Sequence, residues 1–401
     1  MKKTLAIALC TLLLLAPAVS LADGVQLTMG SWRVDDSVQV EAMLAKYKEL
    51  SGVEIVFQPT TSAQYNSVLR MQLDAGTGPD LMYARSYETG RDLYEAGFLV
   101  DVSGIPGVKE NFAPSSLEPW QNTDGSLFAV PFAAVSQVIY YDKDIFAEQG
   151  IEVPYTWDEF IAACDKLLAA GITPIANGLG SNWDILECVF LGMLPNYVGG
   201  SESRALYESG EKALNDEAFV KAYTDFQQMT KYFPEGFESI GNDDAVMVFA
   251  TGRAAMVMDG SWSCGTNDEY GANWGTMAFP VPEGGEAAMC FHPDMAIAGN
   301  SISQYPDEVA AFLEWIATPE GAQIVADYLP AGFFPMIDAP ITFKNERVTE
   351  ILALNEGRVT DARFVWPKLM GLYNPMLEQL NALARGETTP QAAADAVAAA
   401  K

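Results

Sequence analysis

Short apolar segments alternate with amphipathic segments along the first hundred residues of the chain. In chain order they read as strand, helix, strand, helix and strand over Val25–Met29, Val38–Leu50, Val53–Phe57, Gln64–Asp74 and Asp80–Tyr83. This order and spacing predict a parallel sheet with crossover helices, an α/β layer fold. Such folds bind ligands at the carboxyl ends of their strands. We therefore expect binding side chains in the loops 30–36 and 84–89.

Helix-start signals are sharper further along the chain. Thr156 and Glu159 form a capping box, in which each side chain can satisfy a free backbone N–H of the first turn. Thr318-Pro319 and Thr389-Pro390 pair an N-cap threonine with proline at the first helical position. No repeat or low-complexity linker separates these segments. The domains are therefore predicted to be joined by short crossings.

The first 22 residues have the pattern of a secretory signal peptide. Lys2 and Lys3 precede an almost continuous apolar run from Leu5 to Leu15, and small residues stand at the predicted cleavage site after Ala22. The run is short for a membrane-spanning helix, which is the alternative interpretation. Cys10 lies inside the run, where it makes a poor lipid-attachment cysteine. The mature protein is therefore expected to be exported, to the periplasm or the cell exterior.

Charge and composition narrow the function. The 401-residue chain has 53 Asp and Glu against 23 Lys and Arg, a net charge of -30, which argues against nucleic-acid binding. Its length suggests two or three domains, and 49% hydrophobic residues are enough for real cores. One histidine, His292, cannot form a multi-histidine metal site. The acidic surface favours a soluble monomer and a neutral ligand, although one local arginine could reverse the second preference.

Four cysteines lie beyond the signal peptide: Cys164, Cys188, Cys264 and Cys290. An even number in an oxidising compartment permits two disulfides, in three possible connectivities. Buried free thiols are the alternative, because Cys164 lies on the apolar face of a predicted helix and a chain of this size needs no covalent staples.

A longer set of motifs carries a family resemblance. In order, they are Gly76–Leu81, Asp124–Pro131, Ile139–Phe146, Thr156–Phe160, Gly171–Ala176, Phe249–Met256, Asp259–Trp262, Phe312–Trp315, Thr318–Gly321 and Gly386–Pro390. Together they resemble the sugar-binding group of ABC-importer solute-binding proteins, the group that includes maltose-binding protein. The likeness spans nearly the whole mature chain.

The resemblance implies a two-lobed periplasmic-binding-protein fold, with a ligand cleft between α/β lobes joined by hinge crossings. The N-terminal lobe would comprise residues 23–133 and 283–325, and the C-terminal lobe residues 134–282 and 326–401. Crossings are expected near Phe132–Gln137 and Phe279–Glu283. The implied function is the capture of a neutral sugar or short oligosaccharide by hinge closure and its delivery to a membrane permease, without catalysis and without a cofactor.

Aromatic and polar residues at strand ends are the candidate ligand contacts. A sugar offers apolar C–H faces for stacking and hydroxyls that need hydrogen bonds. Trp262 matches the position that commonly stacks on sugar in the resembled group, and Trp183 follows a strand-end loop. The other candidates are Trp32, Arg33, Asp35, Arg85, Tyr87, Glu88, Ser136, Gln137 and Asp294. For each, a role in packing, in turn capping or in an inert loop is the alternative. Residues Ala84–Tyr87 depart from the maltodextrin-binder pattern, which puts specificity for maltose in doubt.

Two other functions remain open. A polyol or a non-sugar osmolyte could use the same aromatic residues. A secreted glycoside hydrolase would need two carboxylates facing across the sugar, and the sequence singles out no such pair. An exported scaffold would need repeats or exposed apolar strands, and neither pattern is present.

Overall fold

A computed structural model of the chain describes residues 24–401, so the predicted signal peptide lies outside the described residues. The strands are β1 Gln26–Ser31, β2 Glu54–Pro59, β3 Leu81–Ala84, β4 Val130–Asp142, β5 Thr173–Ile175, β6 Ala254–Gly260, β7 Trp274–Met277, β8 Ala288–Gly299 and β9 Val359–Asp361. The three strands predicted near the N-terminus are thus confirmed to within one or two residues at each end.

Two long strands run through both halves of the sheet. The strand order is β2-β1-β3-β8-β4-β6-β5, with β7 paired to β4 and β9 to β8. β1 lies parallel to β2 and β3, as predicted, whereas β3–β8, β8–β4 and β4–β6 are antiparallel. The first half of β4 pairs with β8 and its second half with β6 and β7. The β4–β8 register shifts at Pro131–Ala134, where β4 leaves the first half of the sheet.

Helices cover both halves of the sheet. They are α1 Ser37–Ser51, α2 Ser62–Asp74, α3 Tyr87–Glu95, α4 Pro114–Leu117, α5 Lys143–Glu148, α6 Trp157–Ala169, α7 Leu191–Met193, α8 Pro195–Val198, α9 Ser201–Ser209, α10 Glu217–Met229, α11 Asn242–Ala250, α12 Cys264–Glu269, α13 Pro306–Ile316, α14 Pro319–Tyr328, α15 Glu346–Ala353, α16 Tyr373–Ala384 and α17 Pro390–Ala399. The predicted capping box makes both of its hydrogen bonds at the start of α6. Thr318 and Thr389 cap α14 and α17, as expected. No helix in residues 24–401 is long and apolar enough to cross a membrane.

The buried side chains form one cluster in the first half of the molecule and two in the second. The first cluster draws on residues 27–135 and 295–337, and we call the part of the chain around it the first lobe. The other two lie in the second lobe, built mainly from residues 138–291 and 343–398. The exact lobe boundaries stay a prediction. The clusters favour a second crossing within β8, near residues 292–294, over one near Phe279–Glu283, because Met289 still packs in the second lobe and Met295 packs in the first.

Three residues outside the candidate site, Asp80, Trp157 and Trp315, have structural roles. The Asp80 carboxylate accepts hydrogen bonds from the backbone N–H and hydroxyl of Thr28 and from the hydroxyl of Ser303. Trp157 and Trp315 pack into the cores of the second and first lobes. All four cysteines of the described chain are free and buried, so the disulfide alternative is not what the structure shows.

Candidate functional site

A buried arginine organises the region where β4 and β8 cross between the lobes. Nη1 of Arg363 lies 2.7 Å from a carboxylate oxygen of Glu187 and 3.3 Å from one of Asp294. With the Gln137 amide oriented so that its oxygen faces the arginine, that oxygen accepts from Nε and Nη2 at 3.3 and 3.1 Å. Tyr373 donates its hydroxyl to the other oxygen of Glu187, at 2.6 Å. Burial opposes the charge, but Glu187 and Asp294 raise the pKa of Arg363, which is only 2% exposed.

Strand pairing explains how Arg363 reaches this point. β9 runs parallel to the start of β8, with Asp361 opposite Cys290. Two residues further along each chain, the backbone N–H of Arg363 donates to Nδ1 of His292 at 3.3 Å. Glu187 comes from another direction, in a π-helical turn over Ile185–Phe190. Such turns are rare and frequent at functional sites.

Two tryptophans of the second lobe lie together beside this centre. The rings of Trp183 and Trp262 are 6.2 Å apart and tilted by 48°. The Trp262 ring lies 5.5 Å from the Arg363 guanidinium and packs against the core of the first lobe. It covers Gly260, where a Cβ would stand 2.1 Å from the ring, so glycine is required there. Both tryptophans are partly exposed, as a stacking surface requires.

The first lobe contributes a second aromatic–arginine group. The Arg85 guanidinium carbon stands 3.7 Å from the centre of the Trp32 ring, which is an intimate cation–π contact. Trp32 is held edge-on by Tyr65 and Tyr83, each 5.5 Å away. Burial lowers the pKa of Arg85, and the nearby Asp294 opposes that shift. Arg33, the residue after Trp32, is paired with Asp36, and its guanidinium lies over the ring of Phe333.

Tyr87 connects the two lobes. Among residues 24–401 it is the one non-glycine residue with a positive φ, 58°. This backbone conformation is strained for a tyrosine and is often found at functional sites. Its ring is buried in the cluster of the second lobe, 6.3 Å from the ring of His292, which in turn lies 5.2 Å from Trp366. The lobes therefore touch across the cleft at Tyr87.

His292 is a neutral hydrogen-bond donor. Burial, with Arg363 and Arg85 nearby, holds its pKa well below the usual range. Nδ1 accepts from a backbone N–H, so the single ring proton is on Nε2. Within the described chain, that buried Nε2 has no hydrogen-bond partner.

Not every predicted contact faces the cleft. Ser136 is fully buried, its hydroxyl donates to the Cys290 carbonyl and its N–H donates to Ser261, so the structure does not support it as a ligand contact. Asp35 is exposed at the rim opposite α11, where burial and Asp35 raise the pKa of Asp243. Glu88 is exposed on α3. Gln137 and Asp294 are buried and engaged by Arg363.

Sequence reasoning missed Arg363, Glu187 and Trp366. Nothing local marks Arg363 or Trp366, because their neighbours come from β4, β8 and the π-helical turn. Glu187 could have been found from Trp183, which lies four residues before it. The Glu187 N–H donates to the Trp183 carbonyl, so the two residues are one helical turn apart and reach the same site. Asp184 is fully buried there as well, and burial, with Asp259 next in effect, raises its pKa to about 7.

Other binding chemistry is less well supported. In residues 24–401, no group of three or more His, Cys, Asp or Glu side chains is arranged to hold a metal ion. A surface cavity near Gly30, Tyr65 and Pro79 lies on the first lobe, outside the arginine and tryptophan groups. The arrangement that unites aromatic faces with hydrogen-bonding groups is the one at the lobe crossing.

A sequence profile described as "Bacterial extracellular solute-binding protein" matches residues 33–323. The chain belongs to this family of solute-binding proteins. One relative, the "Multiple sugar-binding protein" of Streptococcus mutans, is 22% identical over 338 residues, covering 79% of this chain and 76% of its own. The "Galactooligosaccharide-binding protein" of Bacillus subtilis is 23% identical over 368 residues, covering 90% and 85%.

Solved structures confirm the fold of this solute-binding protein. A structure described as "Chitin oligosaccharide binding protein" superposes with a TM-score of 0.79 at 21% identity, covering 94% of this chain and 97% of that one. The two-lobed architecture with a cleft between the lobes, which the resemblance implied, is therefore confirmed.

Proposed function

We propose that this protein is the extracytoplasmic binding component of an ABC importer. It captures a sugar or short oligosaccharide between its lobes and delivers it to a membrane permease. The observation that carries this proposal is the pair Trp183 and Trp262, standing beside the buried polar centre at Arg363. Aromatic faces beside fixed hydrogen-bonding groups suit a sugar, whose rings have apolar faces and polar edges. The relatives named as a multiple sugar-binding protein and a galactooligosaccharide-binding protein support the same ligand class.

Hinge closure explains how capture is signalled to the permease. β4 and β8 are the crossings about which the lobes rotate, because each strand contributes to both lobes. A ligand that touches the Trp32–Arg85 group on one side and the Trp183–Trp262 pair on the other has these contacts together only in the closed state. It therefore shifts the population towards closure. We place the protein outside the cytoplasmic membrane, as a monomer.

The site is built for binding, and we assign it no catalysis. A glycoside hydrolase needs one carboxyl group that can donate a proton and a second that can attack sugar or activate water. Glu187 and Asp294 are the carboxylates nearest the tryptophans, and Arg363 holds both as ion pairs. An arginine-paired carboxylate fixes the binding side chains around it, and no second carboxylate is shown facing it across a sugar-sized gap in the described chain.

The test is a thermal-shift screen of the mature protein against mono- and oligosaccharides, polyols and quaternary amines, followed by calorimetry. A ligand that binds only the folded state raises the melting temperature. Trp262→Ala should weaken the binding of the sugar found by about tenfold or more. Tyr155→Ala, which removes an exposed aromatic ring elsewhere on the second lobe, is the control and should leave the affinity unchanged. A response to amines or polyols alone would contradict the sugar ligand.

A further inference from the structure

Arg85 is a cation of the cleft without an acidic partner. Among the described residues no carboxylate lies within 4.0 Å of its guanidinium, whereas Arg33 is paired with Asp36 and Arg363 with two acids. Its one side-chain hydrogen bond goes to the Ser62 hydroxyl, at 3.3 Å. The stacked Trp32 ring holds the guanidinium in place but neutralises none of its charge.

The side chains around the contact between the lobes, at Tyr87 and His292, also have more hydrogen-bond donors than free acceptors. Within residues 24–401, the buried Nε of Arg85, Nε2 of His292 and Nε1 of Trp366 have no hydrogen-bond acceptor. Leaving a buried donor unsatisfied costs about 1–3 kcal/mol, so such donors in a binding protein point to a ligand that accepts from them. Arg85 is near enough to His292 to influence its pKa.

The protein's own acceptors there are already in use. Glu187 accepts from Arg363 and Tyr373, and Asp294 accepts from Arg363. Asp184 has two buried oxygens without a partner, but burial raises its pKa to about 7, so it carries only part of a negative charge at neutral pH. A ligand that carries acceptors and a negative charge would satisfy these donors.

We infer that the sugar carries a carboxylate, as a uronic acid does, and that Arg85 binds this group. The inference rests on the proposed sugar-binding function and narrows its ligand class. A carboxylate presents two oxygens that match the planar donor fork of arginine. Arg85 is a single unpaired cation, so it balances a carboxylate better than a phosphate monoester, which carries about −1.5 to −2 charges at pH 7.

The acidic composition does not oppose this ligand strongly. The net charge of -30 arises largely from exposed side chains, and the Debye length at physiological salt is about 8 Å. The half-buried Arg85 acts at contact distance. The surface charge would then slow association at low salt, while the arginine determines which ligand stays bound.

The experiment compares matched ligands by calorimetry with the mature protein. D-glucuronate is measured against D-glucose, D-galacturonate against D-galactose, and glucose 6-phosphate serves as the phosphate arm. We expect at least one uronate to bind about 10- to 100-fold more tightly than its neutral parent, as a charged hydrogen-bonded pair contributes. Arg85→Gln should abolish that preference. Arg70→Gln is the control, because Arg70 is also on the first lobe and stacked on an aromatic ring but is paired with Asp74.

The outcomes separate the carboxylate inference from the proposed sugar-binding function. Neutral sugars binding as tightly as uronates would overturn the carboxylate inference and leave the proposed function standing. Tightest binding of glucose 6-phosphate, lost in Arg85→Gln, would overturn the choice of carboxylate. Failure of every saccharide, neutral or acidic, would overturn both. The comparison of ligands in the unmodified protein is decisive even if Arg85→Gln does not fold.

Discussion

Removal of the Arg363 side chain tests whether the polar centre at the lobe crossing holds the fold together. Arg363→Met keeps most of the side-chain volume and deletes the charge. It leaves the negative charges of Glu187 and Asp294 without their cation, although only 9% and 6% of these residues' surfaces are exposed to water. It also removes both donors to the Gln137 amide oxygen.

The expected magnitude follows from burial. Breaking a buried ion pair by removing one partner costs about 3–5 kcal/mol, because the remaining charge is unpaired in a poorly solvated place. Here two carboxylates lose their partner, so we expect a loss at the upper end of that range. Domain stabilities are typically about 5–15 kcal/mol, so the variant should be marginal. Arg70→Met, which breaks the exposed pair with Asp74, should cost no more than about 1 kcal/mol.

Urea unfolding followed by circular dichroism measures both variants at one pH and salt concentration. A rescue variant sharpens the test: Arg363→Met combined with Glu187→Gln and Asp294→Asn removes the two carboxylates that would otherwise have lost their cation. It should recover much of the lost free energy of unfolding, since buried ionic groups replaced together are often tolerated. A loss for Arg363→Met no larger than that of Arg70→Met, or no recovery in the rescue variant, would refute the argument.

Three further predictions concern single features. Between about pH 4 and 7 the folded protein keeps a proton on Asp184, at a pKa of about 7, that the unfolded chain has released, so its stability falls as pH rises. Asp184→Asn should flatten this fall; melting temperatures between pH 4 and 8 measure it, and equal slopes for both proteins would contradict the prediction. Thr156→Ala should lower the free energy of unfolding by about 1 kcal/mol through loss of the capping box and leave ligand affinity unchanged; denaturation and calorimetry check both. The native mature protein should react slowly with a thiol reagent and show four free thiols once denatured, whereas fewer than four would mean disulfides.

Local patterns predicted the parts of the fold that local physics determines. The capping box at Thr156 works because its donors and acceptors lie within three residues of each other. The alternation near the N-terminus likewise located β1 to β3. The crossing in β8 was harder to place. Residues 288–299 form one strand that serves both lobes, and its apolar run is interrupted at residues 292–294, where one core ends and the other begins, a signal that sequence reasoning missed.

The placement of side chains in the candidate site was predictable where a strand end carries the residue, as for Trp32, Arg85 and Trp183, whose contact with a ligand stays a prediction. It was not predictable where long-range pairing brings side chains together. Arg363 meets Gln137 across 226 positions of sequence, through the pairing of β9 with β8 and of β8 with β4. Ser136 illustrates the converse error. Its position at the crossing was anticipated, but its hydroxyl serves the backbone of the neighbouring strand.

The arrangement of charges shows how binding and closure can be coupled in one place. Arg363 contacts Gln137 on β4, Asp294 on β8 and Glu187 in the second lobe, so it fixes both crossing strands relative to that lobe. Arg85 approaches from the first lobe without a partner of its own. Asp294 and Glu187 act on Arg85 more strongly than Arg363 does, so the two arginines already share these carboxylates. A carboxylate ligand held by Arg85 that also contacts the second lobe has both sets of contacts only in the closed arrangement, and it therefore favours closure as well as binding.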